Sequence, residues 1–371
     1  MAVQTRSSQL QTLSATKRMS DTAANRRMLE DMAARDGAPS VVARQGGDVL
    51  LLSGQARTES RIARLGAADS VSRGDRLTID GAEASVLFTD DGFREIPQAK
   101  VVVAVIDSGV DTDHPAHKGR LLPGYNVETK GRDVEDTMGH GTHVAGIIAG
   151  SFPSEGVEGV AQGVSILPIK IPNLSTSNSK FMPQLAESIR YAVDHGAKVM
   201  NISLGIQLDG FLMKLLHGRK VKQVEEAIRY AESKGVVVVV AAGNNGKDKA
   251  DTVGYPGNSG NVISVANLDD SKKPLETHPS SSQGPAVDIA APGTAIRSSV
   301  PDDSFANYTG TSMAAPYVAG VAALLAAQHP DWTPAQIRER LYKTADDLGK
   351  SGRDDIYGHG AVDPYEALFG L

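Results

Sequence analysis

Asp107, His140, Asn244 and Ser312 each stand where an apolar run gives way to a turn or a helix start. Asp107 closes the run VVVAVID, and a carboxylate directly after six apolar residues is costly unless it is hydrogen-bonded or paired. His140 lies in GHGTHVAGIIAG (139–150), Asn244 in AAGNNG (241–246) and Ser312 in GTSMAAPYVAG (310–320). A hydroxyl nucleophile needs a base to take its proton and a carboxylate to orient that base, and an amide can donate to the oxyanion that develops. Each residue also has a plainer use. Ser312 could cap a helix, Asp107 a turn, and Asn244 could occupy a left-handed position. His140 and His143 could form a metal pair at helical spacing, although no Glu follows His140 as an H-E-x-x-H site requires. Neither G-x-G-x-x-G nor G-x-x-x-x-G-K-[ST] occurs, which counts against a nucleotide-binding α/β protein.

The elements that must position these groups are legible in the texture of the chain. The segments VVVAVIDSG, SILPIKI, AKVMNISLG, GVVVVVAAGN and NVISVAN show no polar alternation, so they predict strands buried on both faces. Between them FMPQLAESIRYAVDHG and KQVEEAIRYAESKG predict helices that end in glycine. The fold class is therefore α/β, a mostly parallel sheet covered by helices. In such sheets, chemistry collects beyond the carboxyl ends of the strands.

At 371 residues the chain has room for one large domain and a small one. Residues 1–37 read as polar and helical, and 38–97 as short alternating runs (VVAR, VLLL, SVLF) separated by Gly-Asp and Asp-Gly pairs. This predicts a small N-terminal α+β module over 1–97 and a main domain over 98–371. A net charge of −6 argues against nucleic acid as a partner, and the absence of cysteine excludes disulfides and thiolate metal sites. The start has no apolar run of the signal-peptide kind, and no stretch approaches the roughly 18 apolar residues of a membrane span. The expectation is a protein without a membrane partner, cytoplasmic unless the N-terminus has been engineered.

Taken together, VAVIDSGVDTDHP, GHGTHVAGIIAG, NISLG, VVVVAAGNNG, TVGYPG, DIAAPG and GTSMAAPYVAG resemble the subtilisin-like serine proteases in order and separation over residues 101 to about 325. The resemblance implies a subtilisin-like fold and a serine endopeptidase acting on proteins or peptides. Ser312 would be the nucleophile, His140 the base, Asp107 its orienter and Asn244 the oxyanion donor. Ser203, Leu204 and Gly205, with Ala241, Ala242 and Gly243, would line the pocket for the residue before the scissile bond. Gly254 would form its floor and leave room for Phe, Tyr, Leu or Met, and Asn245 at the rim carries no charge. No cofactor is implied. The family's tight calcium site is in doubt, because Ala116 stands where an Asp ligand is expected and Pro153 where an Asn is; Asp288 matches only a weaker cation site. The family's extracellular members carry an inhibitory pro-region, so residues 1–97 would act as the chain's own inhibitor, with FREIPQ near the cleft, or else bind a regulatory partner. A pseudoprotease scaffold is the rival reading. The stretch IQLDGFLMKLLHGRK (206–220) reads as an insertion, either a local core helix or a docking surface.

Overall fold

The computed structural model describes residues 101–172, 180–207, 211–246, 251–272 and 274–370, without the side chains of 208–217, and the backbone of three strands before residue 96. The chain divides into two compact units, Met1–Gln98 and Ala99–Leu371. In the first, β1 (Arg76–Thr78), β2 (Ser85–Thr89) and β3 (Gly92–Glu95) form an antiparallel sheet in that order. Thr89 pairs with Gly92, so β2 and β3 form a hairpin. Residues 1–37 and the runs VVAR and VLLL lie outside the described residues.

The second unit is built on β4 (Val102–Asp107), β5 (Tyr125–Asn126), β6 (Ser165–Lys170), β7 (Ala197–Ile202), β8 (Val237–Ala241), β9 (Ile263–Asp269), β10 (Glu276–Thr277) and β11 (Ile289–Pro292). Their order is β10-β9-β8-β7-β4-β6-β5, with β11 on β9, and every pairing is parallel except β9 with β10. The chain leaves β4, returns as β6 on one side of it, then crosses to β7 on the other. The carboxyl end of β4, which is Asp107, therefore lies at a topological switch point, where open parallel sheets leave a crevice for ligands.

Helices cover both faces, which is why the strands lack alternation. On one side α2 (Phe181–Asp194) presents Phe181, Leu185, Ile189 and Ala192, a stripe at helical spacing, to a core shared with Val224, Ala227 and Ile228 of α3 (Phe211–Ser233). The expected insertion and the following helix prove to be one 23-residue helix, because nothing between 211 and 233 interrupts its hydrogen bonding. On the other side lie α1 (His140–Ala149) and α4 (Thr311–Gln328). α4 buries Ala314, Ala315, Val318, Ala319 and Ala322 completely, and small side chains let it run close to β7, β8 and β9. By length and composition this one helix could cross a bilayer, contrary to the sequence expectation, yet 72% of it is buried inside the domain as a core helix. α5 (Pro334–Lys343), started by a Thr333–Gln336 capping box, and α6 (Pro364–Phe369) close the unit.

Candidate active site

β4 delivers Asp107 with no solvent exposure, and α1 begins at His140 beside it. His140 Nδ1 lies 2.7 Å from Asp107 Oδ1, and a carboxylate can only accept, so Nδ1 carries the proton and Nε2 is left as the basic nitrogen. The same Oδ1 accepts the Ser108 N–H at 2.7 Å. Close approach of helix and strand requires Gly141, where a Cβ would stand 2.0 Å from the Gly109 carbonyl oxygen. Burial works against the His140 charge, but the Asp107 carboxylate, with Asp136 behind it, outweighs burial and raises the ring above its ordinary 6.5. His143 plays another part. It is fully buried, donates from Nε2 to the Ala306 carbonyl at 3.1 Å and stacks on Tyr308; burial pushes it down to about 4. The two histidines have separate partners and share no metal geometry.

Asp136 escaped the sequence reading. Its Oδ1 accepts the Met138 and Gly139 N–H groups at 2.9 and 3.0 Å, and its Oδ2 accepts Thr142 N–H and Oγ1–H at 2.9 and 2.7 Å. It thereby fixes the turn that aims His140 and puts negative charge at the start of α1. The signal was an acidic residue just ahead of a helix start.

Ser312 is the second residue of α4. Of the first four N–H groups of this helix, Thr311 donates to Asn244 Oδ1 at 3.0 Å, and Met313 and Ala314 reach the Gly310 carbonyl at 2.9 and 3.3 Å. The Ser312 N–H has no acceptor among the described residues, as expected for a free group at a helix start. Thr311, also missed from sequence, holds Asn244 from two sides. Its hydroxyl donates to Asn244 Oδ1 at 3.2 Å and accepts the Gly243 N–H at 3.1 Å. With Oδ1 so engaged, the Asn244 NH₂ remains for a ligand. The Ser312 hydroxyl gives its proton to the Ser203 carbonyl at 3.2 Å.

The expected pocket segments are tied to each other. Gly254 N–H donates to the Ala242 carbonyl at 2.9 Å, and Ile206 and Tyr255 exchange two backbone hydrogen bonds of 2.8 Å. Ser203, Leu204, Ala241 and Ala242 are buried, whereas Gly205 and Asn244 are exposed. A Cβ on Gly254 would meet the Ile206 carbonyl oxygen at 3.4 Å and the Ala242 carbonyl oxygen at 3.8 Å, ordinary van der Waals contacts.

The residues present do not fit the family's tight calcium site. Ala116 offers a fully buried methyl, Pro153 no side-chain oxygen, and Glu155 in the same loop is paired with Arg297 at 2.6 Å. Among the described residues no three His, Asp or Glu side chains group as metal ligands do. Asp288 is raised by burial, accepts the Ser264 N–H at 2.9 Å and is faced by Arg353 and Arg338, a cationic surrounding. A site held at 100 times its Kd would add about 2.7 kcal/mol. Melting with and without excess chelator is therefore expected to give superimposable transitions; a drop of several degrees would reveal a metal site.

Comparison with known proteins places the chain in a family. The model of the subtilase family matches residues 98–360. Subtilisin E of Bacillus subtilis (strain 168) is 38% identical over 265 residues, which cover 71% of this chain and 64% of that protein. Thermitase of Thermoactinomyces vulgaris is 37% identical over 269 residues, covering 72% of this chain and 88% of thermitase. Among solved structures, fervidolysin of Fervidobacterium pennivorans, a keratinolytic enzyme related to subtilisin, superposes with a TM-score of 0.63 at 35% identity, over 74% of this chain and 43% of that one. The chain belongs to the subtilase family. Its matched region spans 64%, less than two thirds, of the length of subtilisin E.

Proposed function

We propose that this chain is a serine endopeptidase in which Ser312, His140 and Asp107 form the catalytic triad. The observation that carries this is the buried Asp107 accepting from His140 Nδ1 at 2.7 Å, with a serine at the free N-terminus of α4. The Ser312 hydroxyl turns from the Ser203 carbonyl to His140 Nε2, which takes its proton as Oγ bonds to the peptide carbonyl carbon. The displaced π pair goes to the carbonyl oxygen, which is held by the Asn244 NH₂ and the Ser312 N–H. Collapse breaks the C–N bond, His140 hands its proton to the leaving amine, and water later releases the acyl group by the same steps. A non-catalytic scaffold has no use for a lone buried carboxylate aimed at an imidazole. A fluorophosphonate probe separates the two readings: labelling at Ser312, lost in His140→Ala, is expected, and an unlabelled wild type would leave only the scaffold.

Ser203–Gly205, Ala241–Gly243 and Gly254 form the walls and floor for a large apolar residue before the cleaved bond. Replacing Gly254 by Phe is expected to shift the ratio of kcat/KM for Phe over Ala substrates by about tenfold or more. A peptide library cut mainly after Lys or Arg would show that the pocket is elsewhere.

Residues 1–97 restrain this activity as an inhibitory pro-region. The support is a separate compact unit ahead of residue 99 that contains a three-stranded sheet. A catalytic portion starting at about residue 98, co-expressed or trimmed, is expected to turn over faster than the full chain, and residues 1–97 added in trans to inhibit it. Equal turnover without inhibition would point to a partner-binding module.

A further inference from the structure

The nucleophile's own backbone presents a problem that its helix does not solve. In an α-helix the carbonyl of residue i accepts the N–H of residue i+4. For Ser312 that residue is Pro316, inside α4. Proline has no N–H, and its ring crowds the carbonyl four residues back. The Ser312 carbonyl thus lacks its helical donor at the spot where the position of the nucleophile matters most.

The missing donor comes from another element. Ser203, just beyond β7, gives its hydroxyl proton to the Ser312 carbonyl at 2.9 Å across 109 residues of sequence. A hydroxyl has one proton, so a second hydrogen bond to Ser203 must come as a donation from its partner. Asn201, the fifth residue of β7 and fully buried, supplies it: its Nδ2 lies 2.9 Å from Ser203 Oγ. The direction Asn201 to Ser203 to Ser312 is then set, since an amide oxygen facing Ser203 would draw that proton away.

We infer that Asn201 and Ser203 are positioning residues, a clamp that replaces the hydrogen bond Pro316 denies to Ser312. The inference rests on the catalytic reading above and extends it to two side chains that touch no reacting atom. Ser203 meets Ser312 twice, through its hydroxyl at the Ser312 carbonyl and through its carbonyl at the Ser312 hydroxyl. When Ser312 Oγ turns to His140 the second bond breaks and the first stays. The backbone that carries Ser312 N–H and Cα is thereby held while the hydroxyl moves. Substrate in the pocket meets the backbone of this segment, so the clamp acts on kcat and leaves KM alone.

The test is a double-mutant cycle on the full chain with a peptide amide, in which Pro316→Ala restores the N–H at position 316. Ser203→Ala alone is expected to lower kcat by about 10- to 100-fold, the scale of leaving a buried carbonyl unpaired, with KM within about threefold. In the Pro316→Ala background, where the helix satisfies the carbonyl, the same change is expected to cost less than about threefold. This variant also keeps the test valid if Ser203→Ala alone folds poorly. Equal losses in both backgrounds, or a loss confined to KM, would overturn the clamp. Fluorophosphonate labelling of the wild type is read alongside: absence of label on Ser312 would refute the catalytic reading instead, and label on Ser312 with equal losses would refute the clamp alone.

Discussion

Ser312→Ala is expected to lower kcat by about 10⁶, and His140→Ala by a similar factor, because nucleophile and base act as one unit. The scale is that of subtilisin's own triad, carried over to this relative. Removing the hydroxyl leaves nothing to form the acyl bond; removing the imidazole leaves the Ser312 proton on its hydrogen bond to the Ser203 carbonyl, a poor base. The double variant should be scarcely worse than either single one. Active-site titration before kinetics guards against traces of wild-type protein, and retention of more than a few per cent of turnover by Ser312→Ala would refute the mechanism. The pH profile follows from the same geometry. The base works only as the neutral ring, and His140 is raised above 6.5 by Asp107, so activity should appear as pH rises through a value above 6.5. The linked effect on stability runs the other way: it is full below the unfolded value and fades as pH rises through the folded one.

Asn244→Ala is expected to cost about 10² to 10³ in kcat with little change in KM, again the scale found for the corresponding subtilisin asparagine. On the proposed mechanism its NH₂ meets an oxygen that becomes anionic only in the transition state, so the ground-state complex should not register the loss. The structure adds a reason for the size of the effect. Thr311 holds Asn244 Oδ1 through both its N–H and its hydroxyl, so the amide is already aimed before substrate arrives. An equal rise in KM would mean that Asn244 binds ground-state substrate instead.

The strands of the second unit were legible from unalternating apolar runs, because burial on both faces leaves that mark directly in the residues. The placement of Asp107, His140, Asn244 and Ser312 at strand ends and helix starts was legible because each interrupts an apolar run or lies at a helix start. Asp136 and Thr311 were not, since a carboxylate four residues before a helical His and a threonine before a serine have many ordinary uses. The continuous α3 was missed because a glycine-bearing polar stretch (HGRK) reads as a break, while helix hydrogen bonding tolerates Gly218.

By itself the sequence determined the buried strands, the residue types able to do the chemistry, and the lack of side-chain oxygen ligands at positions 116 and 153. The tertiary structure alone decided that β6 and β7 flank β4, so that Asp107 ends at the crevice. It also brought His140 to Asp107 across 33 residues, and Ser203 to Ser312 across 109. Local pattern records burial and period, both properties of a short stretch. Which strand lies beside which is set by packing the whole sheet between its helices, and no single segment contains that information.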